Sequence, residues 1–184
     1  EGDGGAGTRA SERPGDPGED LAVCRHWDAA LADPPLGFAA LASCLRGLRP
    51  ALAWTQTGTY RRNPPSPGFL DAYGHATIAG PPEEPSPLLV APTVRSGVLL
   101  LGPHTSYPPH RHPAEEVYLP LGPAQWRRGW EPWRGEPGGA LVHHRPSVAH
   151  AIRTGDRPLL AVYAWCGDVT TPSRLTAPLG SQVG

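Results

Sequence analysis

The chain has no lysine and no methionine, and its 184 residues include 3 cysteines and 2 phenylalanines. Each shortage excludes something. All 16 basic residues are arginine, so within this chain no residue can carry Schiff-base or lysine-base chemistry. Methionine is missing at position 1 as well, and the numbering is expected to begin at a processed or trimmed end. Cys24, Cys44 and Cys166 are too few and too scattered for a disulfide framework or a CxxC metal knuckle. Each is expected to be a small buried apolar side chain. An excess of charge of either sign is lacking too: 16 basic and 17 acidic residues leave −1, which gives no global attraction to nucleic acid or to an anionic membrane. The longest apolar runs, residues 97–101 and 159–166, are strand-sized and fall far below the roughly 20 residues a membrane-crossing helix needs. No signal-peptide apolar core stands near the start, so a cytoplasmic protein is expected.

Proline and glycine are plentiful instead, at 25 and 23 residues, and their distribution divides the chain. Residues 1–18 hold almost nothing to bury and are expected to form a disordered tail. From Asp20, a candidate cap, Leu21, Cys24, Trp27 and Leu31 recur at helical spacing until Pro34 and Pro35; Phe38, Leu41, Leu45 and Leu48 repeat the pattern before Pro50. Residues 19–85 thus read as a helical and irregular N-terminal extension that packs on the outside of a β-domain or in an oligomer interface. Within it, 51–85 is punctuated too often for long elements, apart from a short helix near Phe69. Strands are expected at 88–94, 97–102, 116–121, 125–129, 140–144, 149–154 and 159–166, joined by turn-rich linkers, with a hairpin and loop over 126–139. That spacing indicates an antiparallel sandwich or barrel over residues 86–170, leaving 171–184 as a tail.

The stretch YPPHRHPAEEVY, residues 107–118, carries the chemistry. His110, His112, Glu116 and Tyr118 have equal parity, so in an extended strand all four point one way. Two imidazoles and a carboxylate make half of a divalent-metal site, and His150, in HRPSVAHAIRTG, supplies the further ligand. His104, His143 and His144 lie near enough in sequence to replace a ligand or orient one. On the final strand, LLAVYAWC, Tyr163 and Trp165 share one face while Leu160, Val162 and Ala164 share the other.

The pattern HxHxxxE followed some thirty residues later by a separate histidine resembles the two motifs of the cupin superfamily, small antiparallel barrels that hold a metal. The runs LLLGPHTSYPPHRHPAEEVYLPL and PGGALVHHRPSVAHAIRTGDRPLLAVYAW, together with WTQTGTY and GFLDAYG upstream, closely resemble the cupin-type dimethylsulfoniopropionate (DMSP) lyases. The likeness covers roughly residues 20–170. It implies a mainly β cupin barrel with short N-terminal helices, and one divalent transition metal per chain (Fe2+, Zn2+, Mn2+, Ni2+ or Co2+) held by His110, His112, Glu116 and His150. It further implies Tyr118 as the catalytic base, with Tyr107 and Trp165 lining the substrate; Tyr163, which shares the strand face of Trp165, is expected to join that wall where the face looks into the cavity. One departure stands out, since the cupin PxGxxH becomes Pro146, Ser147, Val148, Ala149, His150 here, without the glycine.

DMSP bears a carboxylate at one end and a dimethylsulfonium at the other. Loss of the α-proton with expulsion of dimethyl sulfide gives acrylate by β-elimination, and ring faces such as Tyr107 and Trp165 suit the sulfonium. The expected partner is therefore a small zwitterionic substrate, not nucleic acid or membrane, and a homodimer is left open. Two other classes share the ligand set: an Fe(II) dioxygenase, and a non-catalytic cupin that binds a small ligand.

Overall fold

The computed structural model describes residues 20–82 and 87–176; the tail expected over 1–18 lies outside them. Two sheets face each other and enclose the apolar interior of a cupin-type double-stranded barrel. The first contains β1 (Trp54–Thr55), β2 (Tyr73–Gly80), β3 (Leu89–Val90), β4 (Val94–Leu101), β6 (Glu115–Pro120), β9 (Val142–His144) and β11 (Leu159–Cys166). Its strand order is β1-β2-β4-β11-β6-β9, with β3 on β2. The second runs β12-β5-β10-β7-β8 and contains β5 (Ser106–Arg111), β7 (Ala124–Arg128), β8 (Arg134–Glu136), β10 (His150–Arg153) and β12 (Arg174–Leu175). All pairings are antiparallel except β2 with β3.

Two apolar cores follow from strand alternation. In β11, Leu159, Ala161, Tyr163 and Trp165 join Leu99, Leu101, Tyr118, Trp126 and Ile152 inside the barrel. Leu160 and Val162 point outward and pack with Val98, Leu100 and Trp54 beneath the N-terminal helices. Those helices are a 3-10 turn, Ala22–His26, leading into α1 (Trp27–Ala30), and then α2 (Ala39–Leu48). They bury Val23, Cys24, Trp27, Ala30, Leu31, Ala42 and Leu45, of which Cys24, Trp27, Leu31 and Leu45 lie on the face that the spacing of apolar residues marks out. Asp20 is not the cap of the first turn, where no side chain caps the backbone; it pairs instead with Arg49 at 2.6 Å. Gly97 has a packing reason. A Cβ there would lie 2.1 Å from the Ala76 carbonyl oxygen and 2.8 Å from the Tyr163 hydroxyl, so the ring of Tyr163 requires the bare backbone.

The structure corrects several expectations. The 51–85 segment is not irregular, because Tyr73–Gly80 forms a full strand between β1 and β4, and α3 (Gly58–Arg62) precedes it. The strand expected at 88–94 shrinks to Leu89–Val90, while β4 starts early at Val94. Cys24 is buried, but Cys44 and Cys166 are exposed. Most important, residues 107–118 do not form one strand. The chain turns at 112–114 and passes from the second sheet to the first, so the motif's side chains converge across the barrel and not along a single ladder.

Candidate metal centre

His110 and His150 are opposite one another on β5 and β10. Glu116 reaches in from β6 in the facing sheet, and His112 stands at the corner between the two. All four are buried, at 1 to 4% exposed. His112 Nε2 lies 2.9 Å and His150 Nε2 3.1 Å from the same oxygen, Glu116 Oε2. The donor atoms of His112, Glu116 and His150 fall within 4.8 Å of one another, the tightest such cluster among the described residues. His110 stands just outside it, with its ring 4.2 Å from that of His150.

The backbone fixes what these rings present. His110 Nδ1 donates to the Pro108 carbonyl at 2.9 Å, His112 Nδ1 to Ala114 at 3.1 Å, and His150 Nδ1 to Val148 at 3.0 Å. With Nδ1 so engaged, each ring turns its Nε2 atom inward, which is how backbone acceptors orient histidines toward a metal. His112 Nε2 and Glu116 Oε2 are within hydrogen-bond distance at 2.9 Å, so a proton or a cation lies between them. Two imidazoles and a carboxylate on one side of a buried space, with a third imidazole beside them, fit a divalent transition metal.

The other Glu116 oxygen is held as well. Trp165, its cross-strand partner on β11, donates its indole N–H to Oε1 at 2.5 Å. Burial would raise the Glu116 carboxyl, but the interactions with His112 and His150 outweigh it and hold the group well below the usual carboxylate range. The Trp165 ring stacks on His112 at 3.9 Å and lies under the Arg95 guanidinium at 4.9 Å.

Tyr118 points into the same interior, with Trp126 at 5.1 Å, His144 at 5.9 Å and His150 at 6.4 Å between ring centroids. Burial, and next the Glu116 carboxylate, push its phenol well above the ordinary tyrosine value. Tyr163 is the cross-strand partner of Tyr118 and lies 3.4 Å from the Thr77 hydroxyl. Tyr107 stacks on His110 at 4.2 Å, and β5 runs on through Pro108 and Pro109. Burial also lowers His110, with His150 adding to the effect.

The remaining histidines separate cleanly. His104 is exposed beside Asp156 at 3.4 Å, and His143 is exposed against Glu115 at 2.7 Å. His144 is inside, 1% exposed, and burial pulls it down to about 2. Three aromatic residues drawn from outside the two histidine-bearing motifs complete the surroundings. Tyr60 on α3, Phe69 and Tyr73 pack around Tyr107 at 6.0, 5.9 and 5.2 Å. Nothing in the local pattern of residues 51–73 marks them as neighbours of His110. Their upstream runs enter the sequence reading through family resemblance alone.

Fold and donor set thus define a small cupin barrel with a buried His-His-Glu group suited to a metal. The family profile described as dimethylsulfoniopropionate lyase matches residues 8–161, and the chain belongs to that family. A dimethylsulfoniopropionate lyase of Ruegeria pomeroyi, DddQ, is 44% identical over 75 residues, a match spanning 40% of this chain and 37% of that protein's length. The crystal structure of DMSP lyase DddQ from the same organism superimposes with a TM-score of 0.76 at 27% identity, covering 88% of this chain and 80% of that one. A crystal structure of DMSP lyases RdDddP and RnDddQII matches in fold, with a TM-score of 0.74 at 23% identity over 92% of this chain and 83% of that one. No helix among the described residues is long and apolar enough to cross a membrane.

Proposed function

We propose that this chain is a metal-dependent carbon-sulfur lyase that cleaves DMSP to dimethyl sulfide and acrylate by β-elimination, with Tyr118 as the base. The observation that carries the reading is the convergence of His112, Glu116 and His150 on one buried point, with the Tyr118 ring in the same enclosure. His110, His112, Glu116 and His150 would hold one divalent transition metal. When bound, such an ion acts as a Lewis acid on the substrate carboxylate and favours the phenolate of a nearby tyrosine.

The residues of the chain do the rest. Tyr118 takes the α-proton on its phenolic oxygen, and the C–H electron pair becomes the new carbon-carbon π bond as the C–S bond breaks. The sulfide leaves neutral, so no acid is required. Burial of Tyr118 beside Trp126 and Ile152 keeps water from competing for the base. Tyr107, Tyr163 and Trp165 line the interior, where ring faces attract a sulfonium. The test is headspace detection of dimethyl sulfide from purified metal-loaded protein and DMSP, with acrylate measured in equal amount. Absence of both products with about one metal bound per chain would refute the reading.

A further inference from the structure

His144 takes no part in the elimination as described, yet it belongs to the same enclosure. It is the cross-strand partner of Glu116, and such partners project to one face of the sheet. Its ring lies parallel to that of His150, at 4.1 Å and 10°, with Trp126 at 6.1 Å. Neither ring nitrogen has a hydrogen-bond partner among the described residues. In this it differs from His110, His112 and His150, whose Nδ1 atoms each meet a backbone carbonyl. It also stands apart from the tight ligand cluster.

A neutral imidazole offers one N–H donor and one lone pair. Burying both without a protein partner is costly, and an apolar ring of the same shape would avoid that cost. A histidine kept in such a place is explained by a ligand that pairs with it. The two ends of a sulfonium carboxylate make different demands. A sulfonium offers nothing that an N–H donor recognises, whereas a carboxylate has four acceptor positions to fill. Tyr118 and Trp126 are its aromatic neighbours, and Arg128 is the cation near enough to act on the ring.

We propose that His144 is a substrate-binding residue whose ring N–H donates to a carboxylate oxygen of the substrate, setting which end of the molecule enters at the Glu116 side. This rests on the lyase reading of the site. The test uses acrylate, a small carboxylate that does not turn over, titrated calorimetrically into the metal-loaded full chain. His144→Phe is expected to weaken acrylate binding about tenfold or more, as loss of a hydrogen bond to a charged partner does. His144→Gln keeps an N–H donor and is expected to restore most of it. Metal content is expected to match wild type in both variants. The melting temperature of ligand-free His144→Phe should hold or rise, since a buried polar group without a protein partner has been removed.

Equal acrylate affinity in wild type and His144→Phe overturns the proposal. Loss of metal in both variants assigns the ring to the metal instead, and also overturns it. A lower melting temperature with unchanged acrylate binding makes His144 a packing residue. Dimethyl sulfide release by wild type judges the lyase reading separately. Release with acrylate binding indifferent to His144 sinks this inference alone, and His144-dependent binding without release sinks only the lyase reading.

Discussion

Trp165→Phe separates two roles for one ring. A substrate-lining Trp165 would present its face to the sulfonium, and phenylalanine would keep much of that face. In the structure the indole N–H is bound to Glu116 Oε1 at 2.5 Å, and the ring is stacked on His112 at 3.9 Å. Phenylalanine preserves a stacking surface but leaves a buried, ionised oxygen without its donor. A hydrogen bond to a charged group is worth about 1.5–3 kcal/mol, and loss of a group that orients a metal ligand typically costs about 10–100-fold in metal affinity. Competition with a chromophoric chelator measures that affinity directly. We expect a fall in this range, with the far-ultraviolet circular dichroism unchanged and unfolding by urea shifted to lower concentration. Restoring the donor elsewhere is not possible, since Oε2 already faces His112 and His150. An unaltered metal affinity together with a raised Michaelis constant for DMSP would refute the argument and return Trp165 to the substrate wall.

Tyr118→Phe is expected to retain metal and fold while dimethyl sulfide release drops by about two to four orders of magnitude, as loss of a general base does; a wild-type rate would move the base elsewhere. Alanine at His112, Glu116 or His150 should each lower metal content measured by elemental analysis, and His110→Ala tests whether the imidazole outside the tight cluster is a ligand, since full occupancy in that variant would remove it from the set. Four of the five tyrosines, Tyr60, Tyr73, Tyr107 and Tyr118, are pushed up first of all by burial. Groups raised above their unfolded value stabilise the fold below about pH 10 and lose that contribution as pH rises further. Absorbance at 295 nm of the metal-free protein should therefore show these four ionising with alkaline unfolding, and their ionisation near pH 10 in folded metal-free protein would contradict it.

What was readable in advance was the part that repeats at short range. Strand β11 is bounded as its apolar run suggests, and its two faces separate into two cores as alternation requires. The candidate ligands His110, His112, Glu116 and His150 are legible by residue type and spacing. Their convergence was assigned to equal parity along one strand, and that reason was wrong. Parity survives because the corner at 112–114 leaves β5 and β6 in opposite sheets whose inner faces meet. Strand β2 is hidden because YGHATIAG carries two glycines and two alanines, residues poor in strand propensity; its place is set by pairing with β4 from Tyr73 to Ala79 and by the tight approach to Gly97. The bond from Trp165 to Glu116 is a matter of register between β11 and β6, which no local pattern encodes. His144 was visible only as one of several nearby histidines, because the inside or outside of β9 depends on a three-residue strand.

The site depends on opposed demands being met in one small volume. Burial and the Glu116 carboxylate both favour the neutral phenol of Tyr118, so the protein alone holds the proposed base in its inactive, protonated form. The same burial keeps His110 and His144 neutral, and the backbone carbonyls at Pro108, Ala114 and Val148 orient the rings of His110, His112 and His150. Nε2 of His112 and of His150 face the same Glu116 oxygen at 2.9 and 3.1 Å. A divalent cation bound among these atoms would take the place of the proton between His112 and Glu116 and would favour ionisation of the phenol. Metal loading and competence of the base are thereby coupled by electrostatics. A histidine or glutamate replaced in the cluster removes more than a ligand, because Tyr118 then remains in the strongly disfavoured environment that burial alone gives it.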